Sequence, residues 1–106
     1  MVGTPLSPVD FLRQFSPETA DSFQALRKAV AAAGPLDMVT GELVILAALV
    51  TAQSEGSFKV HARRLCKENV PVEAMRHAVL LTLAASTTFS QVISGLRWID
   101  DVAKEP

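Results

Sequence analysis

From Leu43 to Val50 every residue is apolar. Wound as a helix, this run has no polar side, and such a helix is buried all round. It falls far short of the ~18 apolar residues that suggest a membrane span, so protein must cover it. The chain has 106 residues, the length of one domain. A domain of this size buries roughly two-thirds of its unfolded surface. With 49% hydrophobic residues and a mean hydropathy of +0.28, the chain carries more apolar surface than one small body hides. The expectation is core on one side of this helix and a second subunit on the other, so a homo-oligomer. The plainer alternative is a central helix inside a compact monomer.

Charge and cysteine content exclude several classes. Ten basic against eleven acidic residues give a net charge of -1, with no basic tract. The electrostatic footprint of a nucleic-acid binder is missing. A single cysteine, Cys66, rules out an internal disulfide framework and a four-thiolate metal site. Met1 to Phe15 shows neither a basic nor an apolar leader region, so a cytoplasmic protein without a membrane segment is expected.

Glycine and proline divide the chain into helical lengths, and no period-2 strand pattern appears. Ser7-Pro8 and Ser16-Pro17 each combine an N-cap with a proline at the first helical position. They predict a short helix through Phe15 and a second, with Phe23, Leu26 and Val30 at helical spacing, that stops at Gly34-Pro35. A third starts near Asp37 to Thr40 and runs to about Gln53. Ser54 to Ser57 reads as a break or kink. A fourth helix covers Ser57 to Glu68, with Asn69 as a left-handed cap. Pro71 opens a fifth that reaches Ala85. The sixth carries Phe89, Val92, Ile93, Leu96, Ile99 and Val102 as a continuous stripe. The result is a single all-α domain of about six helices over residues 1–106.

Few residues can carry chemistry. Glu42 opens the apolar helix on the same face as Leu46, Leu49 and Gln53. It is either a first-turn acid reaching water or a partly buried carboxylate beside a partner. His61 lies about 60° from Phe58 around the fourth helix, so it points inward or along the boundary. It is either a satisfied core histidine or a proton carrier. Ser57 sits one turn before His61, where a Ser–His–Glu hydrolase arrangement would place it, though no nucleophile-elbow pattern is present. Cys66 falls on the edge of the apolar stripe and reads as a small buried hydrophobe. His77 has no evident partner and is given no role. No metal-ligand cluster is present and no cofactor is implied.

Leu36-Asp37, Thr40-Gly41-Glu42-Leu43-Val44, the apolar helix and His61-Ala62-Arg63 together resemble the carboxymuconolactone decarboxylase family. Asn69-Val70-Pro71-Val72-Glu73-Ala74-Met75 and Phe89 through Leu96 extend the resemblance, which covers roughly Leu36 to Val102. It implies the alkylhydroperoxidase D-like fold, all-helical and trimeric or hexameric. The family's peroxidase branch has a glutamate, two cysteines and a histidine in a fixed frame. Here that frame reads Glu42, Ser54, Ser57, His61 with the spacing intact. Both thiols are serines, which form no disulfide and no sulfenic acid, so thiol-dependent peroxidase activity is not expected.

The decarboxylase branch keeps the histidine without the cysteine pair. The resemblance therefore implies loss of carbon dioxide from 4-carboxymuconolactone or a related intermediate of aromatic-acid breakdown. His61 would be general acid/base and Glu42 would fix its tautomer. Ser54 and Ser57 would be hydrogen-bonding groups of the pocket. Arg64, one turn after His61, is the nearest cation for a substrate carboxylate, against the plainer reading of a solvated surface charge. The chain departs from the family pattern at Gly41 and Val39, where arginines are common, and has no tyrosine before the last helix. These departures remove plausible anion-binding groups and favour an alternative: a non-catalytic member that binds a small ligand or serves in assembly.

Overall fold

The computed structural model describes residues 6–106, which form six α-helices. The reading of the first residues as free of a leader falls in part on residues 1–5, outside the described ones. The described helices are α1 (Pro8–Arg13), α2 (Pro17–Ala32), α3 (Met38–Thr51), α4 (Glu55–Lys67), α5 (Val72–Leu80) and α6 (Phe89–Ala103). No strand occurs among the described residues; Leu83 and Thr87 form an isolated bridge. None of the described helices is long and apolar enough to cross a membrane.

Short polar side chains cap the starts of four of the helices. Ser7 and Ser16 accept hydrogen bonds from the backbone N–H groups of Asp10 and Thr19, each with a proline next. Asp37 Oδ1 accepts from Thr40 N at 2.7 Å. Thr88 and Gln91 form a reciprocal capping box at α6. These contacts satisfy N–H groups that the first helical turn leaves without partners.

The chain divides between Leu36 and Asp37 into two compact units. The first contains α1 and α2, with Ala20 its buried residue and Arg13 bridging Asp21 and Gln24. The α2 stripe of Phe23, Leu26 and Val30 lies exposed. In the second unit α3 and α6 pack against each other, and each packs against both α4 and α5. Its core joins Leu46, Val50, Phe58, Ala62, Leu65, Met75, Val79, Val92, Ile99 and Val102. Phe58 meets the Trp98 ring edge-on at 5.3 Å, tying α4 to α6. Gly95 is the only buried glycine of α6 and brings that helix against Val50 and Val79.

Several boundaries differ from the sequence expectation. The third helix ends at Thr51, and α4 begins at Glu55, two residues before the expected start at Ser57. Gln53 adopts a left-handed conformation (φ 53°). Its N–H donates to Val50 O and that of Ser54 to Leu49 O, the paired bonds of a Schellman cap. Asn69 makes the same cap after α4, as expected, with φ 60°.

The fifth helix stops at Leu80, not Ala85. Thr82 Oγ1 turns back onto Val79 O at 2.7 Å and meets Thr87 Oγ1 at 2.9 Å, while three N–H groups converge on Thr82 O. This buried hydroxyl pair replaces helix with a tight turn. The α6 stripe is also shorter than expected, because Phe89 is 71% exposed. On α3, Glu42, Leu46 and Val50 face inward while Val44 and Ala48 lie exposed in the single chain.

Candidate functional site

The i, i+4, i+8 register of α3 carries Glu42 to the same inner face as Leu46 and Val50. On α4, Phe58, Ala62 and Leu65 anchor the helix in the core, and His61 is drawn in beside them. The three-residue connection between α3 and α4, Ala52 to Ser54, folds the helices against each other, so the two polar side chains meet inside. Glu42 is 7% exposed and His61 8%.

His61 Nδ1 lies 2.5 Å from Glu42 Oε2. Arg64 Nη1 donates to Glu42 Oε1 at 2.8 Å. Burial is the largest single influence on the Glu42 carboxyl and pushes its pKa up. The hydrogen bonds and charges of His61 and Arg64 together outweigh it and hold the group below its ordinary value. Glu42 is therefore ionised near neutrality and can only accept, so Nδ1 carries the proton of the shared bond. The other imidazole nitrogen, Nε2, makes no hydrogen bond among the described residues. No fully occluded side-chain nitrogen or oxygen there lacks a partner, so Nε2 reaches the surface.

Three of the five residues singled out from the sequence thus form one cluster. Glu42 and His61 touch. Arg64, read either as an anion anchor or a solvated charge, pairs with Glu42 while its side chain stays half-exposed. Ser54 caps α4 without a side-chain bond to the helix, and Ser57 lies in the first turn of α4, half-buried. Neither serine hydroxyl is hydrogen-bonded to His61, so a Ser–His–Glu relay is not assembled in this structure. Cys66 packs half-buried against the core. Among the described residues no group of three or more His, Cys, Asp or Glu is placed to hold a metal ion.

The family model for carboxymuconolactone decarboxylase matches residues 17–101. The chain belongs to the carboxymuconolactone decarboxylase family. The match starts at Pro17, well before the resemblance legible from Leu36, and so takes in α2 as well as α3 to α6. No curated protein and no solved structure matches the chain. Ser54 and Ser57 lie between Glu42 and His61 in the sequence, and the Glu42–His61 pair is formed.

A second feature was not legible from the sequence. A cavity of about 440 Å³ opens between α3 and α5, lined by Leu43, Val44, Ala47, His77, Ala78 and Leu81 among others. Neither Glu42 nor His61 lines it. His77, which had no role in the sequence, faces this apolar groove. Its spacing from Ala74, Ala78 and Leu81 on one helical face was the available signal.

Proposed function

We propose that this member of the family is a decarboxylase acting on a small carboxylated lactone or a related aromatic-degradation intermediate. The observation that carries the reading is His61, held at Nδ1 by an ionised Glu42 with Nε2 left open to the surface. That arrangement suits proton delivery at carbon. When the substrate's C–C bond to its carboxylate breaks, carbon dioxide departs and the bonding electrons enter a dienolate. A proton on Nε2 passes to carbon. The imidazole is left neutral, with its remaining N–H on Glu42, and regains a proton from water. Glu42 steadies the imidazolium throughout, and the unused nitrogens of Arg64 supply a cation for an anionic substrate. Ser54 and Ser57 act as polar groups of the pocket. The experiment is loss of 4-carboxymuconolactone followed by ultraviolet absorbance, with His61→Ala beside the parent. Turnover by the parent alone supports the reading; equal turnover by both refutes it.

Ligand binding without turnover is the second reading, and the apolar cavity between α3 and α5 favours it because it lies apart from His61 and Glu42. A parent protein whose melting temperature rises with the lactone while the lactone persists would decide for it. We also propose a homo-oligomer, supported by the exposed Val44, Leu81 and Phe89. Light scattering that returns the 11.4 kDa monomer mass would refute it.

A further inference from the structure

Glu42 offers two carboxylate oxygens, and different residues take them. Oε2 meets His61 Nδ1, and Oε1 accepts from Arg64 Nη1. The last torsion of a glutamate side chain is broad and close to two-fold. One hydrogen bond leaves the carboxylate free to swing about it; a second fixes its plane. Arg64 thereby sets the direction from which Oε2 meets the imidazole. Arg64 follows His61 by three positions on α4, so the helix itself sets the spacing of the two donors.

No other charge competes for this position. Glu42 is the only charged residue within α3. The acids that reach α4 from α6 and the residues just after it are already engaged: Asp101 by Lys59 and Glu105, beyond the end of α6, by Arg63. Arg64 itself has spare capacity. Its Nη2 and Nε make no hydrogen bond among the described residues, and its side chain is 48% exposed. Removing the guanidinium therefore opens no hole in the core.

The geometry points to Arg64 as a positioning residue that acts through Glu42 to hold His61 in its Nδ1–H tautomer, with the Nε2 lone pair directed outward. This deepens the decarboxylase reading and rests on His61 as its proton carrier, but the decisive measurement needs no substrate. Imidazole ¹⁵N shifts report which ring nitrogen bears the proton, and His77 provides an internal control in the same spectrum. At a pH where the imidazole is neutral, the parent is expected to show His61 as the Nδ1–H form. Arg64→Met is expected to shift His61 toward the Nε2–H form and leave His77 unchanged. In a Glu42→Gln background the same substitution is expected to change nothing further. Arg64→Leu, a second apolar replacement, serves should the methionine variant not fold.

A His61 tautomer ratio in Arg64→Met equal to the parent's overturns the proposal. So does a further change on Arg64→Met in the Glu42→Gln background, because Arg64 would then act by another route. If the parent turns over the lactone, Arg64→Met is expected to lower kcat by roughly tenfold, a fraction of a full acid–base contribution. An unchanged kcat with only KM raised would leave Arg64 as the substrate's cation alone and overturn the positioning role. Failure of the parent to turn over lactone removes the decarboxylase reading alone; an unaltered tautomer beside normal turnover removes the Arg64 role alone.

Discussion

Gly95 on α6 faces Val50 on α3 so closely that a Cβ on the glycine would lie 2.6 Å from Val50 Cγ2 and 3.2 Å from Val79 Cγ1. Both valines are fully buried. Alanine would gain about 1 kcal/mol in helix propensity. Overpacking a core of short β-branched side chains costs about 1–3 kcal/mol, so the clash wins. Gly95→Ala is expected to lower the urea midpoint of unfolding. Adding Val50→Ala should recover part of the loss on top of its own cost, so the two changes are non-additive. Strict additivity would show that the contact is not what makes glycine necessary.

Glu42→Gln keeps the size of the side chain but gives His61 Nδ1 an amide in place of a carboxylate. The imidazolium loses its counter-charge and the tautomer loses its anchor. For an active parent, kcat is expected to fall by about a hundredfold or more. Steady-state kinetics on the lactone would check this, and a kcat within a factor of two or three of the parent's, roughly 0.5 kcal/mol, would exclude Glu42 as orienter.

The same carboxyl links stability to acid. Its folded pKa lies below the ordinary value of 4.5, so the unfolded chain binds the proton more readily. The sign follows: the stabilisation is fully present above the ordinary value and is lost as pH falls through the folded one. Urea midpoints of the parent and Glu42→Gln, measured from neutral pH down through this range, are expected to converge in acid. A difference that stays constant or widens with acid would contradict the linkage.

Ala84 holds a left-handed backbone (φ 65°) in the turn after α5. That conformation costs an L-residue about 1–2 kcal/mol, while glycine loses about 0.5–1 kcal/mol through its freer unfolded chain. Ala84→Gly is therefore expected to stabilise by up to about 1 kcal/mol. Its midpoint of thermal unfolding should rise; a fall would mean that the methyl group packs usefully.

The starts of α1, α2 and α3 were legible because each rests on a local device: Ser7-Pro8, Ser16-Pro17 and Asp37 act within one turn of themselves. Asn69 could be read for the same reason, being a residue that tolerates a left-handed backbone. Gln53 and Ala84 could not, because neither advertises that conformation. The early end of α5 depends on Thr82 meeting Thr87, two hydroxyls that become partners only once the turn has formed. Among the site residues, periodicity put Glu42 on the face of Leu46 and His61 inward or along the boundary, but left open whether the Glu42 carboxylate reached water. The bond between them did not follow from periodicity, since it depends on how α3 and α4 pack. Arg64 was hardest to place, because a surface arginine and one paired to a buried carboxylate look alike in one dimension.

The Schellman caps at Gln53 and Asn69 close α3 and α4 at defined residues. One residue inserted or removed within α4 ahead of His61 would rotate the imidazole by about 100° around that helix, away from Glu42. Inheritance of this site is thus a matter of counting. Side chains of this stretch that face away from the core can be exchanged without moving His61, whereas the number of positions cannot drift.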